Sequence, residues 1–247
     1  MQEIIVIGGN KGIGKGIVEK FATKNYKIIF SYNSDKKSAV NLKKKLRTKN
    51  VTCSYYKLDL SKKISISNFL KKISKNSKEL KTIVFNSGAK INRVTFDKVK
   101  EKDIRRIFNV NFFGHYLLCQ GLYKIIINQK TKYKKNLIFI SSEASKFGGK
   151  NLTHYAPTKS AINTLVKGLS NELPNDILVN AISPGIIMTE GMRKANKIDE
   201  KKINLINKTI PLGRVGKPEE VANIIFFLSE KNNNLFTGQI FSVNGAR

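Results

Sequence analysis

Ile4-Ile5-Val6-Ile7-Gly8-Gly9-Asn10-Lys11-Gly12-Ile13-Gly14 is the stretch on which the fold of this chain turns. An unbroken apolar, β-branched run suits a strand buried on both faces of a sheet. The run closes at once in glycines, and Ile13, Ile17, Val18, Phe21 and Ala22 then recur at helical spacing. A strand, a glycine turn and a helix in that order let the backbone approach a pyrophosphate, whose charge rests on the helix N-terminus. The spacing is Gly8-x3-Gly12-x-Gly14 rather than the simpler G-x-G-x-x-G. A rival phosphate motif overlaps it, because Gly9 to Lys15 reads G-x-x-x-x-G-K. That motif next needs Ser or Thr to hold magnesium, and position 16 is glycine, which disfavours a nucleoside triphosphatase.

Working outward, the same pattern repeats. Apolar runs stand at Ile4–Ile7, Ile28–Phe30, Ile83–Phe85, Leu137–Ile140, Ile177–Ile182 and Ile240–Val243, with an alternating strand near Val51–Leu58 and helical patterns between them. Repeated strand–helix units imply right-handed crossovers and a doubly wound parallel sheet with helices on both faces. No repeat, linker or composition shift divides residues 1–247, so the chain reads as one α/β domain of about seven strands. Segment 186–216 is helical in pattern and polar, and reads as a flap. Asn232-Asn233-Asn234 reads as a turn before the last strand.

Composition narrows the class. The chain has 247 residues, is 40% hydrophobic and carries a net charge of +29. That is enough to bury a sizeable core without disulfides or structural metal. The positive charge comes from 39 Lys and only 7 Arg, spread through nearly every segment. Nucleic-acid sites favour arginine forks and interleaved aromatics, so the charge points instead to an acidic or phosphate-bearing partner. No apolar run is long enough for a membrane span, no leader pattern precedes Ile4, and Cys53 and Cys119 have no metal-ligand spacing. A reduced, cytoplasmic protein is expected. His115 reads as structural, His154 as a partly exposed neighbour of Tyr155, and neither has a metal-ligand partner.

A second motif carries chemistry. In Tyr155-Ala156-Pro157-Thr158-Lys159, Tyr and Lys at i and i+4 share a helix face. Pro157 fits only a first helical turn, which places Tyr155 at the helix N-terminus. There the lysine cation and the helix dipole would both lower the phenol's pKa toward that of an acid–base catalyst. Ser141-Ser142 ends a buried run 13 residues before Tyr155. A serine at the carboxyl end of a parallel strand faces the crevice where ligands sit.

Together these motifs resemble the short-chain dehydrogenase/reductase family, nearly end to end. The family's Thr-Gly-x-x-x-Gly-x-Gly appears as Ile7 to Gly14, and its Asn-Asn-Ala-Gly as Phe85-Asn86-Ser87-Gly88. Its catalytic Asn, Ser, Tyr and Lys fall on Asn111, Ser142, Tyr155 and Lys159. Asp59-Leu60 matches the pair bordering the adenine, and Pro184-Gly185-Ile186-Ile187-Met188-Thr189 the segment that holds the nicotinamide amide. The resemblance implies a Rossmann-type fold and hydride transfer between nicotinamide and a carbonyl or alcohol. Ser142 would bond the carbonyl oxygen and Tyr155 would donate the proton. Lys159 would tune Tyr155 and bond the ribose, and Asn111 would hold a water that feeds protons to Lys159. Ile7 and Phe85 depart from the family's Thr and Asn, and an apolar contact between them would compensate. A homotetramer packed through the helices of Asn111 and Tyr155 is also implied.

Cofactor choice follows from the end of the second strand. An NAD enzyme places an acid there, but this chain has Tyr32, Asn33 and Ser34, and Lys11 in the glycine loop suits a 2′-phosphate. NADPH is expected, with contacts from Gly8, Asn10, Lys11, Gly12, Ile13, Gly14, Tyr32 and Asn33; the competing reading gives the ribose to Asp35. Among family members the glycine loop, Pro211-Leu212-Gly213-Arg214 and Val243-Asn244-Gly245 most resemble 3-oxoacyl-[acyl-carrier-protein] reductases. That resemblance implies reduction of a 3-oxoacyl thioester on the acidic acyl carrier protein. Reduction of another small ketone or sugar precursor, or a non-catalytic nucleotide-binding role, stays open at this stage.

Overall fold

The structure is a computed structural model that describes residues 1–195, 198–231 and 233–246. The flap positions Asn196 and Lys197 and the turn position Asn232 lie outside the described residues, as does Arg247. The first apolar run forms β1 (Glu3–Ile7), followed by α1 (Gly12–Phe21), β2 (Lys27–Tyr32), α2 (Lys36–Arg47), β3 (Cys53–Lys57) and α3 (Lys63–Asn76). The chain then returns through β4 (Leu80–Phe85), α4 (Glu101–Phe108), a π-helical turn (Asn109–Phe113), α5 (Gly114–Ile126) and β5 (Lys135–Ile140). After a short α6 (Ala144–Phe147) come α7 (Ala156–Glu172), β6 (Ile177–Pro184), α8 (Glu190–Ala195), α9 (Glu200–Asn207), α10 (Pro218–Ser229) and β7 (Ile240–Val243).

All strand pairs are parallel, in the order β3-β2-β1-β4-β5-β6-β7. The chain winds outward from β1 to β3 and then restarts on the other side at β4. That reversal opens a crevice above the carboxyl ends of β1 and β4, the place where such sheets bind ligands. Period-2 alternation splits the core between the two faces. Ile4 and Val6 pack with Ile17, Phe21, Leu46 and Ile225 on the α1, α2 and α10 side. Ile5 and Ile7 pack with Phe69, Leu122, Ile162 and Val166 on the α3, α5 and α7 side.

The two family departures meet. Ile7 and Phe85 are register partners across β1 and β4, share one core cluster, and are 0% and 1% exposed. Phe85 also stacks on Phe139, with centroids 4.2 Å apart and planes 6° from parallel. Apolar packing thus stands where side-chain hydrogen bonds would otherwise join these strand ends.

Candidate active site

The glycine turn after β1 is built around a close backbone approach. Gly8 has φ +75°, and a Cβ on Gly14 would lie 2.1 Å from the Gly8 carbonyl oxygen. Asn86, just past β4, closes the turn from the other side by donating Nδ2 to that carbonyl at 3.0 Å. Lys11 precedes α1, whose N-terminus has no side-chain cap, so its first N–H groups remain open to an anion. Asn10 is buried and donates to the Asp35 carbonyl at 3.2 Å. The Asp35 carboxylate is taken up by Ser38, accepting from its backbone N–H at 3.0 Å and its hydroxyl at 2.7 Å. Those hydrogen bonds, with the nearby charges of Lys11 and Lys37, hold its pKa below the usual carboxylate value. As the cap of α2, Asp35 has little left to offer a ribose.

Asn111 sits in the π-helical turn, fully buried, and anchors the opposite wall. Its Oδ1 accepts from Ala89 N–H at 2.8 Å, beside Gly88, and its Nδ2 donates to Thr158 Oγ1 at 3.1 Å. Thr158 in turn donates to the Tyr155 carbonyl at 2.7 Å. The helix α7 therefore begins at a fixed distance from the β4 turn. A π-turn widens the helix by one residue and often marks a functional position. The Asn111 carbonyl pairs with His115 Nδ1 at 3.1 Å. His115 is buried and kept neutral, its pKa pushed down to about 3 by burial and by the Lys159 charge.

Tyr155 stands immediately before α7 with Pro157 in the first turn, as the sequence predicts. Burial raises the pKa of its hydroxyl, and the nearby Ser142 side chain opposes that rise without cancelling it. Lys159 differs from expectation. Its Nζ donates to the Ile140 carbonyl at 2.7 Å and lies 6.0 Å from the Tyr155 ring centroid. Lys159 is not among the groups that lower the Tyr155 pKa in this ligand-free arrangement; Ser142 is. The cause is burial of the ammonium, which directs its bond to a strand carbonyl and pulls its own pKa down to about 8.

The remaining predicted contacts divide. Gly8, Asn10, Lys11, Asn33, Asn86, Ser87, Gly88, Pro184 and Gly185 lie at or just past the carboxyl ends of β1, β2, β4 and β6, and Gly12, Ile13 and Gly14 in the first turn of α1. Tyr32 does not present a free ring there. It is buried in the core cluster, edge-on to Tyr55 at 5.7 Å, because β2 is covered by α2 and β3 up to its last residue. Ile187 likewise puts its side chain in the core. The pairing with Gly216 runs through the Ile186 carbonyl and the Met188 N–H, so the peptide groups of Ile187 itself face the other way. Thr189 spends its hydroxyl on Met192 N–H at 3.1 Å, at the start of α8. Asp59 binds Ser61, and Leu60 is buried against Gly114. A cavity of about 750 Å³ gathers Asn10, Lys11, Gly12, Asp35 and Thr189 between the glycine turn, α2 and α8, away from Ser142 and Tyr155.

Several participants were not foreseen. Thr158 and His115 act through buried polar contacts, and the Glu143 carboxylate beside Ser142 is buried with no hydrogen-bond partner among the described residues. Nothing in local spacing announces these. His154, expected to be partly exposed, is 5% exposed.

The family model described as "Enoyl-(Acyl carrier protein) reductase" matches residues 7–245. The chain belongs to the short-chain dehydrogenase/reductase family. It is 31% identical over 245 residues to the 3-oxoacyl-[acyl-carrier-protein] reductase FabG of Chlamydia muridarum, spanning 98% of this chain and 95% of that protein. It is 29% identical over 246 residues to the oxidoreductase YmfI of Bacillus subtilis, spanning 98% and 96%. The solved structure "ElxO with NADP Bound" aligns with a TM-score of 0.86 at 26% identity, covering 99% of this chain and 97% of that one. "Pseudomonas aeruginosa RhlG/NADP active-site complex" shares the fold, with a TM-score of 0.91 at 22% identity over 99% and 95% of the two chains.

As a short-chain dehydrogenase/reductase the chain is an oxidoreductase. Its crevice supplies a hydroxyl pair, Ser142 and Tyr155, able to bond one oxygen atom and pass it a proton. Beneath them lies a buried lysine whose pKa of about 8 lets it gain or lose a proton near neutrality. No helix among the described residues is long and apolar enough to cross a membrane.

Proposed function

We propose that the chain is a cytoplasmic, NADPH-dependent ketone reductase acting on 3-oxoacyl thioesters, with acyl carrier protein as their carrier. The proximity of Ser142, just past β5, to Tyr155, at the start of α7, carries the reductase part of this reading. The carrier part is supported by full-length similarity to a 3-oxoacyl-[acyl-carrier-protein] reductase and by the net charge of +29, which would steer an acidic carrier toward the enzyme.

The cofactor fits the residues present. The uncapped N-terminus of α1 and the bare glycine turn suit a pyrophosphate. Asp35 is engaged with Ser38, and Lys11, Asn33 and Ser34 are exposed nearby to receive a 2′-phosphate. When bound, NADPH supplies the hydride. Ser142 donates to the ketone oxygen, and Tyr155 gives that oxygen its proton. Lys159 restores the proton to Tyr155 and is recharged through a water held at Asn111.

Two copies would pack along α5 and α7, where Phe113, Tyr116 and Leu117 are exposed and Tyr116, Tyr123, Leu165 and Leu169 line an apolar groove of about 170 Å³. A tetramer is expected; sedimentation of a monomer at micromolar concentration would refute it.

The test is NADPH oxidation with acetoacetyl thioesters of acyl carrier protein and of coenzyme A. Turnover that is faster on the carrier protein, with NADPH favoured over NADH, is the expected result. Lys11→Ala should narrow that cofactor preference by about fivefold at most, the worth of roughly one exposed charge pair. Equal rates on both carriers would remove the carrier protein from the proposal, and preference for NADH would remove NADPH.

A further inference from the structure

His115 is a polar side chain in apolar surroundings. It stands one helical turn beyond Asn111, near the start of α5, and is 2% exposed. Its ring lies edge-on to Phe85, with centroids 6.1 Å apart, and Phe85 belongs to the core cluster of Ile7 and Phe139. Nδ1 is 3.1 Å from the Asn111 carbonyl, and a carbonyl only accepts, so Nδ1 carries the proton. Nε2 is then a bare acceptor, buried and without a partner among the described residues. Leaving it so costs free energy that a leucine would avoid. A leucine, however, could not hold the Asn111 carbonyl.

That carbonyl matters because the rest of Asn111 is engaged. Its Oδ1 accepts from Ala89 N–H, and its Nδ2 donates to Thr158 Oγ1. A water that recharges Lys159 at Asn111 therefore finds its acceptor in the backbone carbonyl. The bond from His115 takes one of the two lone pairs there and fixes the direction of the other. The ring also lies within electrostatic reach of Lys159: burial first, and then the Lys159 charge, keep it neutral. The titratable groups facing Lys159 are Tyr155 on its own helix and His115 on α5, while β5 offers it the Ile140 carbonyl.

We propose that His115 is a positioning residue of the reaction: by holding the Asn111 carbonyl, it fixes the path along which Lys159 regains its proton. The proposal rests on the ketone-reductase reading above and adds to it a group that acts through Asn111.

The proteins to compare are the wild type, His115→Leu, which fills the space without a donor, and His115→Asn, whose amide nitrogen takes the place of Nδ1. In NADPH-dependent reduction of acetoacetyl coenzyme A, kcat of His115→Leu is expected to fall about fivefold, the worth of one buried hydrogen bond. Its solvent deuterium isotope effect on kcat rises, because return of the proton to Lys159 now limits turnover. The urea midpoint stays near that of the wild type, since an unpaired nitrogen is lost along with the bond. His115→Asn recovers most of kcat and the wild-type isotope effect. An unchanged kcat in His115→Leu, a fall with no change in isotope effect, or a fall that His115→Asn does not recover overturns the proposal.

Nitrogen NMR of the NADP⁺-saturated proteins, labelled at histidine and lysine, tests it without turnover. The His115 ring is expected to carry its proton on Nδ1 and not to titrate between about pH 5 and pH 8, where an ordinary histidine does. Exchange of the Lys159 ammonium protons with water is expected to slow about fivefold in His115→Leu and to recover in His115→Asn. A proton on Nε2, or equal exchange in all three proteins, overturns the proposal. Should no ketone be reduced, the reductase reading fails, and the exchange rates alone decide for or against His115.

Discussion

Tyr155→Phe should lower kcat by about 10²- to 10⁴-fold, the usual contribution of a positioned acid. The fold should survive. The substitution removes one hydroxyl and leaves the ring at the start of α7. Cofactor affinity should change much less than turnover, because the glycine turn, Asn86 and the N-terminus of α1 are untouched. Steady-state kinetics beside a cofactor titration and a denaturation curve separate these effects. A variant that turns over at close to the wild-type rate would remove Tyr155 from the reaction.

Lys159→Met has the second large effect, and it can be read in stability as well as activity. The folded-state pKa of Lys159 is about 8 against an ordinary lysine value of 10.5, so between those values the unfolded chain holds more protons than the folded one. Stability from this group therefore rises with pH across that window, and is lowest when the buried ammonium is fully charged below pH 8. Between pH 7 and pH 9 the gain is about 1.4 kcal/mol, since one pKa unit is worth about that much. Going no higher than pH 9 limits the opposing effect of Cys119, which burial pushes up to about 12 from an ordinary value of 9.0. Lys159→Met should flatten this rise and also abolish turnover. Urea denaturation of the ligand-free protein at pH 7 and pH 9 checks it. Equal pH dependence in wild type and variant would show that Lys159 keeps its proton throughout.

Much of the fold was legible because it rests on local signals. The runs that became β1, β2, β4, β5 and β6 are mostly apolar and buried, as strands covered on both faces must be. The placement of Tyr155 at a helix start followed from Pro157 alone. Ser142, Tyr155, Asn111 and Lys159 were each readable as residues. Their mutual arrangement was not. Lys159 was expected to act on Tyr155 because the two share a helix face, but the strand carbonyl of Ile140 competes for its ammonium. Tyr32 was read as facing the cofactor, but α2 and β3 enclose it. Neither competitor lies near in sequence, so neither could be seen there.

The sequence by itself determined the layered sheet and the glycine turn, and singled out Asn111, Ser142, Tyr155 and Lys159 as the candidate site residues. Those depend on periodicity, on glycine's freedom at positions such as Gly8, and on residue chemistry, all of which act over a few neighbouring residues. The tertiary structure alone decided which groups set the protonation of the site. Thr158 and His115 braced around Asn111, Ser142 on Tyr155, and the burial that brings Lys159 to about 8 come from segments far apart in the chain. Their effects arise from desolvation and from hydrogen bonds that exist only once those segments have packed together.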